Sequence, residues 1–205
     1  MFNECPADEW VERAIRLGFN LVMLADASAS YADLTRRVAD LVAVAHPRGV
    51  AVEAEMGVLP HAGAEGSLTD PDQAAEFVRA TGVDALAVSV GNVHVLLDGR
   101  RDLDSARLAE IRDKVDVPLV LHGGSGIADR ALAQAIALGV AKVNYGTYLK
   151  QRCLAVLRQA LASGGTDPHR TLGAGGDADL VVVTRRAVRD AVLERIDLLG
   201  CCGRA

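Results

Sequence analysis

Pro118-Leu-Val-Leu-His-Gly-Gly-Ser-Gly126 is the stretch on which the fold turns. Pro118 to Leu121 is a short apolar run and reads as a buried strand. His122 stands at its carboxyl end. A glycine-rich turn follows and opens a helix predicted over 128–138. A strand ending in a polar side chain, followed by a loop of backbone N–H groups at a helix start, is how barrel enzymes build an anion site. A metal ligand at the strand end suits the same geometry.

Working outward, the same unit recurs. Strands are predicted over 19–24, 50–56, 85–90, 118–121 and 141–144. Amphipathic helices follow over 31–45, 71–81, 104–115, 128–138 and 147–162. Asp70-Pro71 places a cap and a first-turn proline at one helix start. Upstream, 1–5 reads as the last residues of a strand, and a helix opens at Pro6. Downstream, 163–176 reads as a surface loop. The stretch 177–183 is either a strand or a helix start, and a terminal helix covers 185–198. Repeated βα units give a parallel sheet with right-handed crossovers. A doubly wound open sheet and a (βα)8 barrel both satisfy that pattern. The Gly-x-Gly-x-x-Gly fingerprint of dinucleotide binding is absent after the first strand, which argues against the former.

Composition agrees. Half of the 205 residues are hydrophobic and only 3% aromatic, the profile of a parallel sheet buried on both faces. One domain, 1–205, is the default for this length. The net charge of −5 gives no nucleic-acid footprint. No apolar run is long enough for a membrane span, and the first residues lack a secretory leader. Cys5, Cys153, Cys201 and Cys202 form no zinc-finger spacing and read as reduced cytoplasmic thiols.

The strand ends carry Glu53 and Glu55, then Asn92 and His94, then His122, then Asn144 and Thr147. In a parallel barrel they face one side, where active sites lie. Each alone has a dull explanation; together they point to a site. His94 and His122 can share a divalent metal, zinc by ligand type. Gly123, Gly124, Ser125, Asn144, Gly146 and Thr147 can surround a phosphate. A metal beside a phosphate pocket suggests Lewis-acid work on a sugar-phosphate carbonyl.

At these residues the sequence resembles the class II, zinc-dependent fructose-bisphosphate and tagatose-bisphosphate aldolases. The matching segments are Val52-Glu-Ala-Glu-Met-Gly57, Leu68-Thr-Asp-Pro71, Thr81 to His94, Pro118 to Gly126 and Lys142-Val-Asn-Tyr-Gly-Thr147. The resemblance implies a TIM barrel and reversible cleavage of a ketose phosphate to dihydroxyacetone phosphate and an aldehyde. It implies a cytoplasmic homodimer or homotetramer working in carbohydrate metabolism such as glycolysis. It places His94 and His122 on two zinc ligands and Glu55 on the acidic residue beside the metal. It places Gly124, Ser125, Asn144 and Thr147 on the phosphate, and makes Glu65 the candidate for proton transfer.

The departures are equally specific. The family's Asp-His pair at the end of the third strand falls on Asn3 and Glu4. Glu4 can still ligate zinc through oxygen, but Asn3 cannot act as a base. The family's Asp-Gly-Ser is replaced by Ala25-Asp26-Ala27. Strands one, two and most of the third are absent, so an N-terminally short chain is expected. A non-catalytic sugar-phosphate-binding or partner subunit is the competing reading. A metal-free phosphate-binding barrel enzyme is a third.

Overall fold

The structure is a computed structural model and describes residues 1–60, 66–163, 167–173 and 176–203. The chain forms two compact units, Met1–Asn144 and Tyr145–Ala205.

The first unit runs β1 (Phe2–Cys5), α1 (Asp8–Arg16), β2 (Leu21–Leu24), α2 (Tyr31–Ala45), β3 (Ala51–Met56) and α3 (Pro71–Thr81). It continues β4 (Ala85–Val88), α4 (Ser105–Lys114), β5 (Leu119–Leu121), α5 (Asp129–Ala137) and β6 (Val140–Val143). Helix boundaries follow the local chemistry. Ser30 accepts a hydrogen bond from the Asp33 amide at the start of α2. Asp70 accepts from the Asp72 and Gln73 amides at the start of α3, with Pro71 in the first turn. Asp104 accepts from the Arg107 amide at the start of α4. Such caps satisfy amides that have no partner within the helix.

All six strands are parallel and pair in chain order, β1-β2-β3-β4-β5-β6. A doubly wound sheet reverses its order at a switch point; this one does not. Both faces are covered. Val22, Val52, Leu86 and Leu119 on successive strands are fully buried.

The sheet is curled. β1 and β5 are four strand positions apart, roughly 19 Å in a flat sheet. Yet Glu4 Oε1 at the end of β1 lies 2.8 Å from His122 Nδ1 at the end of β5. The Asn144 amide approaches Asn3 Oδ1 to 3.5 Å, although Asn3 lies in one edge strand and Asn144 follows the other. Side chains cannot span a flat sheet, so the strands wrap like a barrel wall.

The second unit holds α6 (Thr147–Ser163), α7 (Pro168–Leu172) and α8 (Leu180–Leu199). α6 and α8 are joined by Arg152–Glu194 at 2.8 Å and by the Tyr148–Glu194 contact. The Arg195 guanidinium lies 4.5 Å from the centroid of the Tyr148 ring. Two expectations change here. The loop predicted over 163–176 contains α7, because Asp167 caps it and Pro168 fits its first turn. The undecided 177–183 leads into α8, which begins at Leu180, so Val181, Val182 and Val183 are helical despite their strand preference.

Candidate active site

The site lies at the carboxyl ends of the strands of the first unit, and each wall is built differently. On the β5 side, Leu119, Val120 and Leu121 are fully buried and His122 is only 1% exposed. Gly123 follows with φ 69°, and an added Cβ would sit 2.0 Å from the Val93 carbonyl oxygen. Only glycine meets both conditions. The turn at Gly124–Gly126 is a 3-10 helix. The Gly124 amide donates to the Asn144 carbonyl at 3.0 Å, so it ties the β5 and β6 loops together. Asn92, also buried, donates its amide to the His122 carbonyl at 3.0 Å. The backbone of His122 is held from two sides.

His122 has a carboxylate at each ring nitrogen. Nε2 is 2.9 Å from Glu53 Oε1, and Glu53 is wholly buried. Lys142 on β6 pairs with Glu53 Oε2 at 2.9 Å and donates to Asn144 Oδ1 at 2.6 Å. Nδ1 is 2.8 Å from Glu4 Oε1, an ion-pair approach without hydrogen-bond alignment. Burial works against a charged imidazole here. The Glu4 and Glu53 carboxylates outweigh it and push His122 up to about 9.

Glu4 is the hinge of the constellation. Its second oxygen, Oε2, is 3.2 Å from His94 Nε2, so one carboxylate spans both imidazoles. Its close contacts with the His122 and then the His94 imidazoles hold Glu4 well below the usual carboxylate range. The Glu4 contact raises His94 in turn. Among the described residues, Glu4 is the one non-glycine residue with positive φ, at 52°, and the β1–β2 register shifts between Phe2 and Cys5. Such a conformation costs about 1 kcal/mol or more and persists where surrounding contacts impose it.

Glu55 on β3 lies beside this group. Its Oε1 is buried without a hydrogen-bond partner, and burial pushes its carboxyl upward. Imidazole nitrogens and carboxylate oxygens are a suitable donor set for a divalent ion. The orphaned Glu55 oxygen and the misaligned His122 Nδ1 fit such an ion better than they fit each other's neighbours. Among the described residues no group of three such side chains is already drawn into a metal-holding arrangement. Glu4 stands between the two histidines instead.

On the other side, a cavity of about 450 Å³ opens at the ends of β1, β2 and β3, with Glu4, Glu55, His94 and the loop 25–27 on its walls. Gly57 lets the chain turn at its floor with φ 92°; a Cβ would meet Ser89 and the Ser67 carbonyl within 3 Å. Thr69 locks this region. Its hydroxyl donates to the Met56 carbonyl and accepts from the Ser89 amide, bridging the ends of β3 and β4.

Of the expected site residues, the structure brings Asn3, Glu4, Glu55, His94, Gly123, Gly124, Ser125, His122 and Asn144 to one end of the first unit. Gly146 and Thr147 belong to the second unit, where Thr147 opens α6. Glu65 lies outside the described residues. Sequence reasoning missed Lys142. A lysine inside the strand Val140–Val143 was the available signal.

A parallel sheet in barrel order, with imidazoles and carboxylates converging at the strand ends, defines an α/β enzyme-type site. The model of the family described as fructose-bisphosphate aldolase class-II matches residues 5–204, and the chain belongs to that family. It is 36% identical to YdjI, an uncharacterized protein of Escherichia coli (strain K12), over 96% of this chain and 69% of YdjI. The crystal structure of the YdjI aldolase matches with a TM-score of 0.82 at 34% identity, over 99% of this chain and 69% of that one. A Coccidioides immitis structure, described as a candidate fructose-1,6-biphosphate aldolase, matches with a TM-score of 0.82 at 31% identity, covering 98% and 70%. Campylobacter jejuni fructose-bisphosphate aldolase, at 20% identity and a TM-score of 0.68 over 95% and 64%, shares the fold. Among the described residues no helix is long and apolar enough to cross a membrane.

Proposed function

We propose that the chain is a zinc-dependent class II aldolase that reversibly cleaves a ketose phosphate to dihydroxyacetone phosphate and an aldehyde. The observation that carries this reading is the Glu4 carboxylate spanning His94 and His122, with Glu55 beside it. Two histidines and one glutamate are a known catalytic zinc set. His94, His122 and Glu4 would hold the metal, and Glu55 would sit next to it. When bound, the metal supplies a Lewis acid for the ketone oxygen.

The protein's own groups supply the rest. Glu53 engages Nε2 of His122, leaving Nδ1 as the nitrogen that faces the site. Lys142 balances the Glu53 charge and orients Asn144. The glycine turn at 123–126 and Asn144 take the phosphate of dihydroxyacetone phosphate. In the addition direction, C3 of dihydroxyacetone phosphate loses a proton and attacks the aldehyde carbonyl, whose oxygen is then protonated. Glu65 is assigned the C3 proton. Asn3 orients the new hydroxyl through its amide without taking its proton.

The same reading treats the six strands as part of an eight-stranded barrel and 1–205 as one domain of it. It includes a homodimer or homotetramer in the cytoplasm, acting in carbohydrate metabolism. Asn3 and Glu4, standing where the family has Asp and His, favour a second reading: a sugar-phosphate-binding subunit without turnover. One set of measurements separates the two. Metal content is measured on the purified protein. Cleavage of ketose 1-phosphates and 1,6-bisphosphates, and exchange of the C3 hydrogen of dihydroxyacetone phosphate, are measured with and without chelator. The aldolase reading expects bound zinc and chelator-sensitive exchange. Neither metal nor exchange, with sugar phosphate still bound, would favour the second.

A further inference from the structure

The cavity beside the site is lined by apolar side chains and by a few ionisable groups, mostly carboxylates. Leu24, Ala25, Ala27, Leu34, Val58 and Leu59 present carbon to it. Its ionisable lining groups are Glu4, Asp26, Glu55 and His94; no lysine or arginine lines it among the described residues. The guanidinium of Arg37, which pairs with the lining residue Asp26, is already committed. Arg37 pairs with Asp26 Oδ2 and with Asp8 Oδ1, each at 2.8 Å, and donates to the Pro6 carbonyl at 2.9 Å. The other oxygen of Asp26 accepts from the Ser28 hydroxyl at 2.6 Å. A phosphate group is recognised by cations and by amide or hydroxyl donors. This wall offers carboxylates and methyl groups.

The position of the cavity says which part of a substrate it would receive. The glycine turn and Asn144 lie at the ends of β5 and β6. The cavity lies at the ends of β1, β2 and β3, and Glu4 and His94 stand between the two regions. A ketose phosphate bound by its phosphate at the glycine turn, with its carbonyl at the histidines, would direct its aldehyde half into the cavity. At about 450 Å³ the cavity has room for a small aldehyde.

We infer that the aldehyde half of the substrate is unphosphorylated and uncharged, and that it lodges in this cavity of apolar side chains and carboxylates. The substrate class is then ketose 1-phosphates, not 1,6-bisphosphates. The inference rests on the aldolase reading and deepens it.

The test runs in two stages on the full chain with its metal. Deuterium exchange into C3 of dihydroxyacetone phosphate, followed by NMR without any aldehyde, tests the aldolase reading alone. Aldol addition is then compared for D-glyceraldehyde, propanal and D-glyceraldehyde 3-phosphate by kcat/KM. The unphosphorylated aldehydes are expected to be favoured about tenfold or more, the size of one missing charge-assisted contact. Exchange together with equal or better use of glyceraldehyde 3-phosphate overturns the inference and leaves the aldolase reading standing. Absence of exchange overturns both. Ala27→Arg, or Val58→Arg if the first does not fold, places a cation on the wall. The ratio is expected to move about tenfold toward glyceraldehyde 3-phosphate; an unmoved ratio in a folded variant also counts against the cavity as the aldehyde pocket.

Discussion

The two sides of the site are built on opposite principles. On the β5–β6 side, His122, Glu53 and Asn92 are buried and cross-linked, and Lys142 and the Gly124 amide tie two strand ends together. On the β1–β3 side, Glu4 holds a strained backbone, Asp26 faces outward to Arg37, and a cavity separates the elements. The buried side carries the segments Pro118 to Gly126 and Lys142 to Thr147 on which the sequence resembles the family. The open side carries Asn3, Glu4 and Ala25-Asp26-Ala27, read from the sequence as departures from that resemblance. A buried ionic network tolerates few changes, because removing one partner leaves an uncompensated charge. An open wall of methyl groups and solvated carboxylates tolerates many. On the aldolase reading proposed above, binding of the common half of the substrate and choice of the variable half would reside in different structural settings.

Four measurements would break or sharpen that contrast. The largest effect is expected for His122→Ala. Zinc retained after dialysis should fall below about a tenth, and cleavage should fall by about a thousandfold. Retained zinc, read by elemental analysis, would remove His122 from the ligand set.

Glu53→Gln comes next. It keeps the shape but leaves Lys142 without its counter-ion and His122 without its carboxylate. Zinc affinity should weaken about 10–100-fold, and urea unfolding should show a loss of about 3 kcal/mol. A variant as stable and as metal-bound as the parent would deny the buried side its orienting role.

Glu4→Gly tests the open side. Glycine takes the φ of 52° freely and relieves about 1 kcal/mol of strain. That relief offsets part of the lost ion pairs with His122 and His94, in which the Glu4 side chain is 26% exposed. Stability should change by less than about 1 kcal/mol, while zinc affinity drops about tenfold. If stability fell and zinc stayed, Glu4 would be structural.

The smallest effect belongs to Asp26→Asn and depends on pH. Hydrogen bonds from Ser28 and then Arg37 lower Asp26 from 3.8 to about 2. A carboxylate whose folded pKa is depressed stabilises the fold above its unfolded pKa. Its contribution is therefore present at neutral pH and is lost as pH falls from 3.8 toward 2. The Tm difference between Asp26→Asn and the parent should be small, and should vanish at the bottom of that window. A difference that persisted there would have another origin.

Much of the fold was readable along the chain because its signals are local. Asp70-Pro71, Ser30 and Asp104 mark helix starts through side chains that bond amides two or three residues away. The apolar runs mark strands within a residue or two. The helix at Pro168–Leu172 was missed because glycines on either side masked its Asp167 cap. Lys142 escaped because a lysine in a strand looks solvated until its partner, 89 residues away, is known. The opposite case is Thr69. Its motif was visible, but its work of bridging β3 and β4 was not.

By itself the sequence determined the repeated βα units, the placing of His122 just after a strand and of Glu55 near the end of one, and the family; the structure puts Glu53 in the middle of β3 and His94 on the loop after β4. Periodicity, caps and short motifs act over a few residues, so one dimension suffices to state them. Only the tertiary structure decided between an open sheet and a barrel-like wall, since both satisfy the same periodicity and differ in strand order. The sequence grouped Glu4 with His94 and His122 as candidate ligands, but only the structure showed one carboxylate in contact with both rings, 90 and 118 positions further along the chain. The structure alone showed which ring nitrogen of His122 is engaged by Glu53, and that Arg37 is tied to Asp8 and Asp26 rather than free to meet a phosphate. Those facts depend on curvature and on long-range pairing, which no local pattern encodes.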